Sequence, residues 1–140
     1  MSNVHGKDRT QHRLTVLDKA LDVYDHTTNL LSNESVFKRV YQSLIDKIDN
    51  EATMIYHCCR VANEELDARV ADEAKIRIEL QIEALSHCKW LKTYIMLSAK
   101  KFHLRARKVT YWTGLVNITM KYITAWNRSE QKSLKENHGL

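Results

Sequence analysis

The sequence predicts an all-α fold, an antiparallel four-helix bundle, and three observations carry it. There is no proline and there are only three glycines, Gly6, Gly114 and Gly139, in 140 residues; a sheet of this size draws on both residues for its tight turns. Three stretches space their apolar residues by alternating threes and fours, the period of a helix seam. Hydrophobic residues make up 44% and charged residues 28%, enough apolar mass for a core and too much for a wholly disordered chain. No run reaches the roughly 18 apolar residues of a membrane span. The bundle is expected over residues 13–129, with polar, disordered segments at 1–12 and 130–140.

The first helix follows Leu14, Leu17, Leu21, Tyr24, Thr28 and Leu31, a stripe suited to coiled-coil-like packing. It stops at Ser32-Asn33-Glu34-Ser35, capping residues expected to start the next helix as well. That second helix runs from about Ser35 to Asn63 on Phe37, Tyr41, Leu44, Ile48, Ala52, Ile55, Cys59 and Ala62. At about 1.5 Å per residue it is roughly 40 Å long. Glu64, Glu65 and Asp67 mark a break and supply acids where the next helix dipole favours them.

The third segment, about Ala68 to Lys100, contains a conflict. Ile76, Ile78, Leu80 and Ile82 alternate with Arg77, Glu79 and Gln81, which is strand-like patterning. Helix wins, because good helix formers flank the alternation on both sides and no turn signal interrupts it. Such a helix is apolar on two faces, and a subunit interface is the natural use of the second. Ile76 and Leu80 are therefore candidate interface residues. A turn is expected within Lys101–Arg107, although neither Gly nor Pro marks it. The fourth helix follows Val109, Trp112, Val116, Thr119, Ile123 and Trp126. Gly114 inside it costs about 1 kcal/mol against alanine, which predicts close approach of a neighbouring helix and makes Gly114 a third interface candidate.

The net charge of +5 hides an asymmetry. Residues 1–83 carry eleven bases against fifteen acids, while residues 84–129 carry nine bases and no acid. The nine are Lys89, Lys92, Lys100, Lys101, Arg105, Arg107, Lys108, Lys121 and Arg128. A block of this kind points to a polyanion or an acidic protein surface; the alternative is neutralisation by the acidic half of the same chain. The densest part is Lys100 to Lys108, five charges in nine residues. Trp90, Tyr94 and Tyr111 lie among the bases as candidates for stacking on unpaired nucleobases, whereas Trp112 and Trp126 fall on the apolar seam and read as core.

Catalytic patterns are weak. No Glu-x-x-His pair, nucleophile elbow, glycine-rich phosphate loop or Walker-type lysine occurs. Glu83/His87 stand at i,i+4, and His57-Cys58-Cys59 with His87-Cys88 could be imagined around zinc. Neighbours on a helix diverge by about 100°, so each helix offers one or two ligands at most, and core thiols are the preferred reading. No catalytic residue, metal, cofactor or small-molecule substrate is assigned. An odd number of cysteines behind a polar Met1–His12 segment without an apolar signal core predicts reduced thiols in the cytoplasm.

Several segments together carry a resemblance: Leu17-Asp18-Lys19-Ala20-Leu21-Asp22-Val23-Tyr24-Asp25-His26, Val36-Phe37 with Arg39, Lys75 to Ala84, Tyr111-Trp112, and Ile118 to Ser129 with its closing Ala125-Trp126-Asn127-Arg128-Ser129. Over residues 14–129 the chain resembles the accessory variability determinant (Avd) family of diversity-generating retroelements, relatives of the four-helix proteins encoded in ribosomal RNA intervening sequences. The resemblance implies a four-helix protomer of a ring-shaped homopentamer with a basic surface. It implies a non-enzymatic role beside a reverse transcriptase and its template RNA or DNA, supporting mutagenic cDNA synthesis in a prokaryotic or phage-infected cell. Arg77, Lys92 and Arg128 match basic positions of the family pattern; the acidic first half is a departure from it. Two rival classes follow from the residues alone: a helical scaffold whose basic face meets an acidic protein, and a bundle metalloenzyme.

Overall fold

The structure, a computed structural model, describes residues 2–139, with side chains described from Thr15 onward. Four helices, α1 (Ser2–Leu31), α2 (Gln42–Glu64), α3 (Ala71–Lys101) and α4 (Ala106–His138), account for nearly all of it, with a single 3-10 turn at Arg39–Tyr41. No strand occurs among the described residues. α1 packs on α2 and α4, and α3 on α2 and α4, so neighbours in sequence are neighbours in space and the last helix closes on the first. Cross-helix hydrogen bonds show the antiparallel run. Trp112 Nε1 donates to Thr27 Oγ1 at 2.9 Å while Thr119 Oγ1 donates to the Lys19 carbonyl at 3.1 Å. Arg77 meets Glu130 while Asn127 meets Gln81.

From Ile48 on α2 and from Trp112 on α4 the seams are those the spacing predicts, whereas Tyr41 is exposed ahead of α2, Leu44 and Val109 are half-buried, and Ile45 is buried instead. Ile48, Ala52, Ile55, Cys59 and Ala62 are buried on α2, and Trp112, Val116, Thr119, Ile123 and Trp126 on α4. On α1 the buried row is Val16, Ala20, Val23, Thr27 and Leu31, so Leu21 faces outward. α2 begins at Gln42 rather than near Ser35. Asn33 Oδ1 accepts from the Ser35 amide at 3.2 Å and the Ser35 hydroxyl at 2.6 Å, turning the chain with a side-chain mimic of a backbone turn. Phe37, ahead of α2, is nonetheless buried, packed against Phe102 with ring centroids 4.7 Å apart.

α3 departs most from its predicted face. Its buried row is Ala74, Arg77, Gln81, Ala84, Cys88, Leu91, Ile95 and Ser98, an unbroken alternation of three and four that contains a guanidinium, an amide and a hydroxyl. Ile76 and Ile82 are exposed, and Ile78 and Leu80 are half-buried beside the core. Ile76 and Ile82 lie outside because they fall off this row, which faces α2 and α4 together.

Arg77 is 1% exposed. Its Nη1 donates to the carbonyls of Ala62 and Leu66 at the end of α2, and Nε and Nη2 donate to Glu130 on α4. The guanidinium also lies over the Trp126 ring, 5.8 Å from its centroid, and Trp126 Nε1 donates to Glu130 Oε1 at 3.0 Å. Residues 130–138 therefore belong to α4, not to a disordered tail: Glu130 is needed inside. The expected disordered segment 1–12 falls where side chains lie outside the described residues; the backbone is helical from Ser2. Gly114 has no neighbouring atom within 4 Å of where a Cβ would stand, so no helix of the protomer approaches it.

Removing one partner of a buried, hydrogen-bonded ion pair costs about 3–5 kcal/mol. Arg77→Ala is expected to lower the thermal midpoint by roughly 10–20 °C. Deleting residues 130–140 is expected to do the same, whereas loss of a disordered tail would stay within about 0.5 kcal/mol. Thermal unfolding followed by far-UV circular dichroism separates the two.

Candidate nucleic-acid interface

At the end of the bundle opposite Arg77, α3 stops and α4 starts within four residues. The Phe102 amide donates to the Ser98 carbonyl at 2.8 Å and the Leu104 amide to the Ala99 carbonyl at 3.1 Å. These bonds make the left-handed helix stop usually built on glycine, and here His103 occupies the left-handed position with φ of 53°. His is among the non-glycine residues that tolerate this region, which explains a tight turn that no Gly or Pro announces.

This turn gathers the five charges of Lys100 to Lys108. Lys100, Lys101, Arg105, Arg107 and Lys108 are all exposed. Lys101, Arg105 and Lys108 line a groove of about 800 Å³ together with His103, Tyr41 and Lys38. Lys101 Nζ sits over the Tyr41 ring, 5.4 Å from its centroid. Lys38 and Tyr41 are groove residues that sequence reasoning missed, because the segment was read as part of a longer α2. A smaller, apolar pocket of about 240 Å³ shares Val36, Leu104 and Lys108 with the groove and is walled by Leu30, Phe37 and Trp112. His26 borders it, edge-on to Tyr111 at 5.0 Å; burial lowers its pKa below 6.5, so it adds no charge at neutral pH.

The field at this end is unbalanced. Lys100 and Lys101 occupy the last turn of α3, where the helix dipole favours them. Arg105, Arg107 and Lys108 occupy the start of α4, where it opposes them; no acid stands in that first turn and no side chain caps it. Positive charge, uncapped amides and the positive end of a dipole thus coincide, an arrangement that seeks anions.

Of the remaining candidates, Lys89, Lys121 and Arg128 are exposed and Lys92 is half-buried, spread along α3 and α4 away from the turn. None of the nine bases between Ala84 and Ser129 forms an ion pair among the described residues. Three arginines of the first half are paired locally instead: Arg39 with Glu34, Arg60 with Glu64 and Glu65, Arg69 with Asp67. Among the described residues, no acid of the first half forms an ion pair with the basic block. Arg77 leaves the interface set, being buried in its own ion pair. Trp90 is 52% and Tyr111 57% exposed, while Trp112 and Trp126 are buried; Trp90 stacks on half-buried Tyr94, centroids 5.9 Å apart.

For the oligomer candidates, Ile76 is 45% exposed, and Ile82, Trp90, Met96 and Leu97 are also exposed on α3. Leu80 is instead packed against the core of its own bundle. Cys58, Cys59 and Cys88 are buried free thiols. Among the described residues, no helix is long and apolar enough to cross a membrane. No family model matches the chain, and neither a curated protein nor a solved structure resembles it at a significant level.

A non-glycine residue held at positive φ stores local strain. His103→Gly is expected to stabilise the chain by about 1 kcal/mol, read as a higher urea midpoint with an unchanged denaturant slope.

Proposed function

We propose that this chain is a non-enzymatic accessory protein of a diversity-generating retroelement. Its basic bundle end contacts the reverse transcriptase and its template RNA or cDNA during mutagenic cDNA synthesis, in the cytoplasm of a prokaryotic or phage-infected cell. The observation that carries the reading is the charge at the α3–α4 turn: five exposed bases with no ion pair among the described residues, of which Lys101, Arg105 and Lys108 open on one groove with Lys38. Phosphates would occupy the groove, and the adjoining apolar pocket has room for an unstacked base. Backbone contacts of this kind carry little sequence information, so the affinity is expected to be strong in low salt and weakly sequence-dependent.

Replacing Arg105, Arg107 and Lys108 together by Gln leaves the core untouched. The triple variant is expected to bind single-stranded RNA and the cognate reverse transcriptase more weakly. Each lost phosphate contact lowers the magnitude of the log–log salt slope by about 0.7, so three lower it by roughly 2. If affinities and slope stay unchanged, the block is a solvated face. If RNA binding is absent in the parent protein while an acidic protein still binds, the scaffold reading replaces this one.

The assembly belongs to the same proposal: a ring of copies, five by the resemblance, would repeat the basic end around an axis. It is supported by the apolar outer face of α3, where Ile76, Ile82 and Leu97 have no partner in their own bundle large enough to bury them. Ile76→Glu is expected to dissociate the assembly while the protomer stays helical, whereas Leu80→Glu is expected to unfold it. Light scattering of the parent at micromolar concentration reads the outcome; a 16.4 kDa particle overturns the oligomer.

A further inference from the structure

Midway along the α2–α3 contact, three different metal-ligating side chains converge: Cys58 from α2, and Glu83 and His87 from α3, with one ligand atom of each within 4.8 Å of the others. The two α3 residues stand at i,i+4 and so share a face. His87 is already oriented. Its Nδ1 lies 2.5 Å from Glu51 Oε2, seven residues before Cys58 on the same face of α2. With the proton on Nδ1, the neutral ring presents Nε2 as a lone pair. That Nε2 is buried, has no hydrogen-bond partner among the described residues, and lies 3.7 Å from Glu83 Oε1. A carboxylate holding the far nitrogen of a ligating histidine is the usual outer partner at zinc.

The distances suit a first-row ion. Zinc–nitrogen and zinc–sulfur bonds of about 2.0–2.1 and 2.3 Å place neighbouring ligand atoms of a tetrahedron roughly 3.3–3.6 Å apart. The histidine–carboxylate pair is there already, and the thiol needs a movement of about an ångström at most. The donor set of one thiol, one imidazole and one carboxylate favours zinc over magnesium or calcium, which take oxygen donors. Glu83 is half exposed while Cys58 is buried and His87 mostly so, so the site opens to solvent on one side and leaves a fourth position for water. On binding such a cation a coordinating thiol gives up its proton outright.

We propose that Cys58, Glu83 and His87 bind one zinc ion per chain, with Glu51 as a positioning residue for His87, pinning α2 to α3. The site lies about 20 Å along α3 from Lys100 and does not rest on the nucleic-acid reading.

Untagged full-length protein, stripped of metal, is titrated with cobalt(II) as a spectroscopic stand-in for zinc. One equivalent is expected to give the intense thiolate-to-cobalt charge-transfer band and the visible bands of a tetrahedral ion, displaced by one equivalent of zinc. Cys58→Ala is expected to abolish the charge-transfer band, and His87→Gln and Glu83→Gln to weaken binding at least about 10-fold. Glu51→Gln, which touches no metal, is expected to weaken it about 10–100-fold with the band position retained. Cys88→Ala, outside the cluster, leaves the titration unchanged. Glu83 is exposed enough that Glu83→Gln folds normally, which far-UV circular dichroism verifies, so the test survives if the Cys58 variant is unstable. Absence of the charge-transfer band in the parent, or its persistence in Cys58→Ala, overturns the site and leaves Glu51, His87 and Glu83 as an ion-pair network.

Discussion

One guanidinium holds the far end of this bundle together. Arg77 satisfies two carbonyls at the end of α2, a carboxylate of α4 and the face of Trp126 at once. Three of the four helices are thereby fixed to one another at a single point. Beside it, Asn127 Nδ2 donates to Gln81 Oε1 at 3.0 Å and Gln131 Nε2 to Asn127 Oδ1 at 2.6 Å, so this end of the core is a polar layer. Such a layer tolerates only one register of α3 against α4, because any slip strands a buried charge at a cost of several kcal/mol.

The opposite end obeys a different rule. Among the described residues, Glu34, Glu64, Glu65 and Asp67 pair locally, and no acid forms an ion pair with the bases of the α3–α4 turn. Charge separation of this kind weakens the isolated fold slightly, since bases at the start of α4 oppose its dipole by about 0.3–1 kcal/mol each. A fold anchored firmly at one end can carry that cost at the other.

Much of the architecture is legible from spacing alone, and the failures have physical causes. The seams of α2 and α4 could be read because almost every buried position in them is apolar. The first half of the α3 seam could not, because its buried positions hold Ala74, Arg77, Gln81 and Ala84 while Ile76 and Ile82 face outward. Residue type there reports two different contacts, one inside the bundle and one on its surface. The burial of Arg77 depends on Glu130, 53 positions away, and no local pattern signals a pairing at that range. Of the basic candidates, the five at the turn were recognisable as a cluster by density. Lys38 and Tyr41 joined them only once the Asn33 turn ended α1 and moved the start of α2 to Gln42. His87, Glu83 and Cys58 were visible separately, but their convergence needs the α2–α3 register.

That register links the two ends. The same pairing of α2 with α3 that brings Ala62 and Leu66 to Arg77 also brings Glu51 and Cys58 to His87. It also sets where α3 runs out, and so where the His103 turn presents its bases. A shift of one residue would rotate α3 by about 100°, turning Arg77 out of its cage and His87 away from Glu51. The basic turn needs no partner in the fold to hold its charges in place. Its position follows from the length of α3 measured from a buried ion pair, which is why the least neutralised part of the molecule is placed by its most completely satisfied one.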